Sequence, residues 1–172
     1  MVKMAGLLCL FAACCLVGFE LERRLKQRWI FLREMYELFL YLEQEMTCRR
    51  TPIAEAFDGV AVRCTPPLGP LLKQTASRLK MGTGIPFAQI WSEEAARQIP
   101  QRFLGEDEYR EVLAAAEALC CADTLTQQVL LSKYAGHFRG LCGKEEQAYR
   151  EKGMLCRRLS VAAGIFAVIL FI

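Results

Sequence analysis

Two long uncharged segments at the chain ends constrain the structure more than any other feature of the sequence. Residues 4–19 contain 16 consecutive uncharged residues, and residues 159–172 contain 14. The 139 residues between the two ends, 20–158, hold 40 of the 41 charged side chains, and Lys3 is the remaining one. Helices of a soluble domain normally carry a polar face, so this partition argues against a protein that is free in the cytosol.

Both apolar ends are predicted to be membrane-spanning helices. At about 1.5 Å per residue they reach roughly 24 Å and roughly 21 Å, against a hydrocarbon core of about 30 Å. Long basic side chains beside an apolar segment lengthen such a short span, because their charged groups reach the headgroups. The residues predicted to mark the two membrane boundaries are Gly18, Arg23, Arg24, Arg157 and Arg158.

The distribution of lysine and arginine predicts the orientation in the membrane. Positive residues near a span favour the cytoplasmic side, and only Lys3 lies outside the two spans. We therefore predict a transmembrane helix over 1–19, a cytoplasmic domain over 20–158 and a second transmembrane helix over 159–172. Two alternatives stay open: the apolar ends are buried core helices, or the first is a leader cleaved at the lipoprotein-like sequence Phe11-Ala12-Ala13-Cys14.

The central domain is predicted to be all-α, an antiparallel bundle of about six helices. Apolar residues at three- and four-residue spacing, with no proline or glycine between residues 19 and 50, predict one long helix that continues from the first apolar end. Prolines and glycines then delimit helices at about 52–62, 68–81, 86–98 and 106–119. A sixth helix begins at Asp123 or Thr124 and runs, with weak points at its glycines, into the second apolar end.

Motifs for catalysis or metal binding do not emerge from the sequence. The nine cysteines and the single histidine, His137, have no spacing typical of a zinc or redox site, so free thiols are expected. Gly82-Thr83-Gly84 lacks the Lys-Ser/Thr of a phosphate loop and predicts a turn. A net charge of +3 spread over mixed charges is not typical of a nucleic-acid binder. We therefore expect no enzyme activity, cofactor, metal, nucleic acid or small-molecule substrate.

Two short segments are candidates either for helix caps or for contacts with a partner. Thr51 is predicted to be an N-cap, with Pro52 at the first helical position. Asp123 is predicted to cap the sixth helix, and Gln127 lies four residues further on. Gln127 either shares that helix-start network or faces another protein, and both interpretations are open for all four residues.

The order of several short blocks resembles a known family. The blocks are Gly18-Phe19 with Arg24-Leu25 and Arg28; Leu42-Glu43-Gln44-Glu45-Met46; Thr51-Pro52-Ile53-Ala54-Glu55-Ala56; Trp91; Leu119, Asp123 and Gln127; and Arg158-Leu159-Ser160-Val161 with Gly164. End to end, the chain resembles the stage III sporulation protein AB family of endospore-forming Firmicutes. Cys120 and Ser160 stand where that family usually has glycine, so at those two points the resemblance does not by itself imply a tight helix approach.

The resemblance implies a role that the residues alone do not give. It implies a non-enzymatic membrane platform of the sporulation channel that joins mother cell and forespore. The bundle would be similar to the F-type platform protein of type II secretion systems. The implied partners are the AA ATPase of the complex, its other membrane components and further copies of this chain. The implied location is the mother-cell membrane around the forespore, with the domain in the mother-cell cytoplasm. The alternative is a general secretion or pilus-type membrane adaptor.

Overall fold

The structure is a computed structural model that describes residues 2–48, 51–82, 84–100, 103–120 and 124–171. Within those ranges, the side chains at residues 2–11, 14, 46–48, 124, 154, 157, 164 and 167–171 also lie outside the description. The described residues form helices and connecting turns, with no strand among them. The prediction of an all-α helical bundle is confirmed.

The helices begin and end close to the predicted positions. They are α1 (Val2–Cys48), α2 (Ile53–Ala61), α3 (Leu68–Lys80), α4 (Phe87–Gln98), α5 (Glu106–Cys120), α6 (Thr124–Ala148) and α7 (Met154–Phe171). Helix α1 continues without interruption from the first apolar end, as predicted. A single π-helical turn, Tyr149–Gly153, joins α6 to α7, so the last helix also continues into its apolar end.

The chain divides into two compact units. The bundle unit comprises Ile30–Cys142, and the terminal unit comprises Met1–Trp29 and Gly143–Ile172. Helices α1 and α6 contribute residues to both. In the bundle unit, α2 packs on α3, α3 on α4 and α4 on α5, so helices that follow one another in the chain are neighbours in space. Short proline- and glycine-containing turns favour this arrangement.

The core of the bundle unit follows the apolar periodicity of α1. This helix buries six large residues at spacings of one, three and four: Phe31, Leu32, Met35, Leu38, Phe39 and Leu42. On the α6 side, the ring of Phe39 stacks on those of Tyr134 and Phe138, at centroid distances of 5.8 and 5.4 Å. Burying one such aromatic side chain stabilises the fold by about 1.5–3 kcal/mol. The apolar stripe therefore fixes the rotation of α1 in the unit.

The terminal unit is built around the π-helical turn. The indole of Trp29 stacks on the ring of Tyr149, with centroids 5.9 Å apart and planes at 5°. Gly153 is buried beneath that ring, since a Cβ added there would lie 3.3 Å from Tyr149 Cδ2. Arg28 and Glu145 form an ion pair at 3.2 Å. These contacts hold the start of α7 against α1 within the terminal unit.

The two apolar ends form the outer parts of α1 and α7. No helix in the described part of the chain is both long and apolar enough to cross a membrane. The side chains at 1–11 and 167–172, which make up much of the two apolar ends, lie outside the described residues. The transmembrane helices over 1–19 and 159–172 therefore stay predictions.

Candidate functional site

A close helix approach in the terminal unit joins the inner ends of the two apolar segments. Gly18 is buried, and a Cβ added there would lie 2.4 Å from Ser160 Oγ and 2.5 Å from Ser160 Cβ. Ser160, which stands where the family usually has glycine, therefore takes part in a tight approach. Since Gly18 has no side chain, it leaves room for the serine across the contact. Small residues at such a contact let two helix backbones approach closely.

The other predicted boundary residues lie on the surface. Arg23, Arg24 and Arg158 are exposed, and Arg24 pairs with Glu20 one turn away at 3.1 Å. The side chain of Arg157 lies outside the described residues. Exposed basic residues within two turns of Gly18 and next to Ser160 are placed as a membrane boundary would require. Their role at a membrane stays a prediction.

The start of α2 differs from the predicted cap. Pro52 occupies the N-cap, where its carbonyl accepts hydrogen bonds from the N–H groups of Glu55 (2.9 Å) and Ala56 (3.1 Å). No side chain caps the helix. The Thr51 hydroxyl instead donates to Glu45 Oε2 at 2.9 Å. A hydrogen bond to a carboxylate is stronger than one between neutral groups, which accounts for the choice of partner. The contact ties the end of α1 to the start of α2.

Gln127 connects α6 to α5. Its side chain is only 8% exposed, and Nε2 donates to the carbonyl of Leu119 at 3.3 Å. Carbonyls in the last turn of a helix have no partner within the helix, so this bond satisfies one of them. Asp123 lies outside the described residues. The buried amide favours a structural role for Gln127, while a partner contact at Asp123 stays untested.

Replacing Gln127 by alanine is therefore expected to lower stability. The Leu119 carbonyl loses its donor, which costs about 1 kcal/mol of unfolding free energy. Urea unfolding of the detergent-solubilised full chain measures this change. Ser132→Ala, an exposed substitution on the same helix, is the control and is expected to unfold like the wild type. An unchanged midpoint for Gln127→Ala, together with lost partner binding, would instead assign the residue to a contact surface.

A carboxylate on α1 holds the turn between α2 and α3. The Thr65 N–H donates to both Glu34 oxygens at 3.0 Å, and its hydroxyl donates to Oε1 at 2.9 Å. Burial raises the pKa of Glu34, and the hydrogen bonds from Thr65 oppose that rise. Burial also raises the pKa of the neighbouring Cys64 thiol to about 12, and the charges of Glu34 and Glu37 add to the effect. Cys64 is consequently an inert thiol at neutral pH.

Alkylation of Cys64 is expected to be slow in the folded chain. Raising a thiol pKa from 9.0 to about 12 reduces alkylation by about thirtyfold once the higher nucleophilicity of a more basic thiolate is included. Iodoacetamide labelling at pH 8, read by mass spectrometry, compares the folded chain with the chain in urea. Glu34→Gln should speed labelling by removing the larger charge effect, and Glu37→Gln should speed it less. Equal labelling of Cys64 before and after unfolding would contradict this account.

An ionic network ties α3 to α4. Arg78 donates to Glu93 Oε2 at 2.7 Å and to Glu94 Oε1 at 2.9 Å, and Arg97 donates to the same Glu94 oxygen at 3.2 Å. Glu94 is only 3% exposed. The hydrogen bond from Arg78 lowers the pKa of Glu93, with a second contribution from Gln89. A buried carboxylate needs such partners, so Arg78 and Glu94 are structural.

Trp91 joins three helices of the bundle unit. The indole N–H donates to the Val112 carbonyl on α5 at 2.8 Å, and the ring packs against Phe57 of α2 and Phe87 of its own helix at centroid distances of 5.8 and 6.1 Å. The side chain is 1% exposed. Trp91 is therefore a core residue of the bundle unit.

The comparison with known families decides the assignment. A family model described as stage III sporulation protein AB matches residues 3–172. The chain belongs to this family. The resemblance identified from the short sequence blocks is confirmed.

Two relatives agree with the family assignment. The chain is 22% identical over 170 residues to stage III sporulation protein AB of Bacillus subtilis (strain 168), and the match covers 99% of each chain. A solved structure of stage III sporulation protein AB matches with a TM-score of 0.60 and 21% identity. That match covers 68% of this chain and 91% of the solved one. The structural likeness supports the helical fold.

Several polar side chains of this stage III sporulation protein AB family member stabilise the fold of the described residues. Glu34, Gln127 and Glu94 each bridge two segments of the chain. Among the described residues, no group of three His, Cys, Asp or Glu side chains is placed to hold a metal ion. His137 is half-exposed, and its Nε2 lies 3.9 Å from Glu111 Oε2. These contacts link helices, and the absence of enzyme activity stays a prediction.

The structural roles of Glu34 and Glu94 were not predicted from the sequence, for different reasons. Glu34 and Thr65 are 31 residues apart, and nothing local pairs them. Glu94, however, lies on the buried face of α4 with Ile90, Trp91 and Ala95. A glutamate inside an apolar stripe indicates a buried carboxylate that needs a basic partner, so this signal was available in the sequence.

Proposed function

We propose that this chain is a non-enzymatic membrane platform of the sporulation channel complex that links mother cell and forespore. The family match over residues 3–172 is the observation that carries the proposal. It covers both apolar ends as well as the bundle unit, so the whole chain takes part in the family's role. The proposed location is the mother-cell membrane around the forespore.

Anchoring by both ends is supported by their convergence. Gly18 is the next-to-last residue of the first apolar end, and Ser160 is the second residue of the other. The contact between them brings the inner ends of the two apolar segments side by side, which supports the proposal. The exposed Arg23, Arg24 and Arg158 follow on the bundle side of that contact. Two apolar helices that end at the same level beside basic residues suit a common membrane surface.

The proposed partners are the AA ATPase of the same complex, its other membrane components and further copies of this chain. The bundle unit supports a scaffold role, since its buried Trp91 and Glu94 fix neighbouring helices to one another. A rigid helical platform can hold an ATPase at a membrane without carrying out chemistry itself. This role is inferred from the resemblance to platform proteins of type II secretion systems.

Topology reporters test the anchoring. A reporter active only in the cytoplasm should work when inserted at Gly82-Thr83-Gly84, between α3 and α4 in the sequence. A reporter active only outside the cytoplasm should work at the C-terminus. Both results follow from the positions of the basic residues. The opposite pattern would put the bundle unit outside the cytoplasm, away from a cytoplasmic ATPase, and would contradict the proposal.

Co-purification tests the partnership. The tagged full chain, solubilised from sporulating cells, should retain the AA ATPase of the sporulation complex. Recovery of a general secretion or pilus ATPase in its place would favour the adaptor alternative. Recovery of no ATPase under conditions that retain the other membrane components would contradict the platform role.

A further inference from the structure

An open groove of about 650 Å³ lies between α2 and α3 in the bundle unit. Its apolar wall includes Val62, Pro66 and Pro70, and its polar edge includes Asp58 and Lys73. The volume is of the size that holds a few side chains of a bound segment. Ala61 and Cys64 of the lining pack against the core, while Val62, Pro66 and Lys73 face outwards at the surface.

The groove is held open by contacts on its inner side. A Cβ added at Gly69 would lie 2.6 Å from the Cys64 carbonyl oxygen, so α3 passes directly against the end of α2. Glu34 holds Thr65 through three hydrogen bonds. The wall therefore exists before anything binds, and a partner does not have to supply the free energy of ordering it.

An apolar anchor point stands at the edge of the groove. Val62 is 89% exposed, more than any other large apolar side chain described. It occupies the C-cap of α2, next to Ala61 and Cys64 in the lining. A single exposed valine is ordinary on a protein surface. Beside a preformed apolar groove, however, one apolar side chain of a partner can bury the valine and the groove wall together.

Two exposed basic side chains, Lys73 and Arg63, stand at the outer edge of the groove. Asp58 pairs with Lys80, so its charge is already compensated. Lys73 on the edge and Arg63 beside Val62 are exposed, and neither forms an ion pair with a described residue. A partner segment that carries acidic side chains next to an apolar one would complement this surface.

We propose that the groove between α2 and α3 docks an acidic segment with an apolar anchor on the partner ATPase. The inference rests on the proposed function, which makes that ATPase a partner of the bundle unit. The anchor would enter beside Val62 and Pro66, and carboxylates would face Lys73 and Arg63. A second copy of this chain would bring the same two cations to a symmetric contact, which repulsion disfavours.

Site-specific crosslinking tests the location. A photoreactive phenylalanine analogue replaces Val62 in the full chain and, as the matched control, Val129. Val129 is 69% exposed on α6 and lies outside the groove. In sporulating cells, the probe at residue 62 should crosslink to the ATPase and the probe at 129 should not. Crosslinking from 129 alone, or from residue 62 to lipid or to a second copy of this chain, would overturn the proposal.

Charge reversal tests the chemistry. Lys73→Glu should weaken binding of the purified AA ATPase to the solubilised full chain by about tenfold. Lys133→Glu, at an exposed lysine of α6, should leave binding within about twofold, since the position is outside the groove. Equal losses of binding in Lys73→Glu and Lys133→Glu would overturn the groove assignment but not the proposed function. Unchanged binding of Lys73→Glu, when the wild type binds, would do the same. Failure of the wild-type chain to bind the ATPase would instead count against the proposed function.

Discussion

Replacing Gly18 by alanine is expected to force the two apolar helices apart. The new Cβ would lie 2.5 Å from Ser160 Cβ, which rotation of the serine hydroxyl cannot relieve. Overpacking of this kind costs about 1–3 kcal/mol. Urea unfolding of the detergent-solubilised full chain should show the loss, and spore yield should fall with it.

A double substitution provides the decisive control. Ser160→Gly removes both clashing atoms, and the nearest remaining one is the Cys156 carbonyl oxygen at 3.5 Å, an ordinary contact distance. Gly18→Ala with Ser160→Gly should therefore regain most of the stability that Gly18→Ala loses. Gly136→Ala, on an open helix surface with no atom within 4 Å, should instead stabilise by up to about 1 kcal/mol. A double variant as unstable as Gly18→Ala would show that the two residues are not in contact.

Replacing Trp91 by alanine is expected to have the largest effect within the bundle unit. The change removes a fully buried ring that contacts Phe57 and Phe87, together with the donor to the Val112 carbonyl. Loss of a buried tryptophan costs about 3–5 kcal/mol, a large share of the 5–15 kcal/mol typical of a folded domain. The midpoint of urea unfolding followed by circular dichroism measures the change.

A conservative variant separates packing from hydrogen bonding at the same position. Trp91→Phe keeps an aromatic ring but removes the indole N–H, so about 1 kcal/mol of the loss should come from the hydrogen bond, beside a small loss from the smaller ring. Equal destabilisation by alanine and phenylalanine would mean that the ring contacts contribute little. A wild-type midpoint for Trp91→Ala would contradict the placement of this side chain in the core.

The positions of the helices follow from local sequence signals. Pro52, Pro86 and Gly105 each precede a helix, and the uninterrupted apolar periodicity of α1 predicts its length correctly. Proline lacks a backbone N–H and restricts the residue before it, so it marks helix starts regardless of the tertiary structure. The helical fold was predictable for that reason.

The contacts between helices were not predictable in the same way. Gly18 and Ser160 lie at opposite ends of the sequence, and a glycine on either helix suffices for a close approach. Ser160 alone therefore does not indicate whether the two helices approach closely. Thr51 has a side chain that can cap a helix, but its hydroxyl donates its hydrogen bond to Glu45 in the preceding helix instead. Both outcomes depend on a partner whose position only the folded chain determines.

Complementation of a deletion strain tests the central claim most directly. The gene for this chain is deleted from its native spore former, and either the full chain or residues 20–158 alone are returned. We expect deletion to block sporulation after engulfment. The full chain should restore heat-resistant spores and residues 20–158 should not, because the proposed platform must be held at the membrane. Normal spore yield in the deletion strain, or full rescue by residues 20–158, would contradict the proposed role.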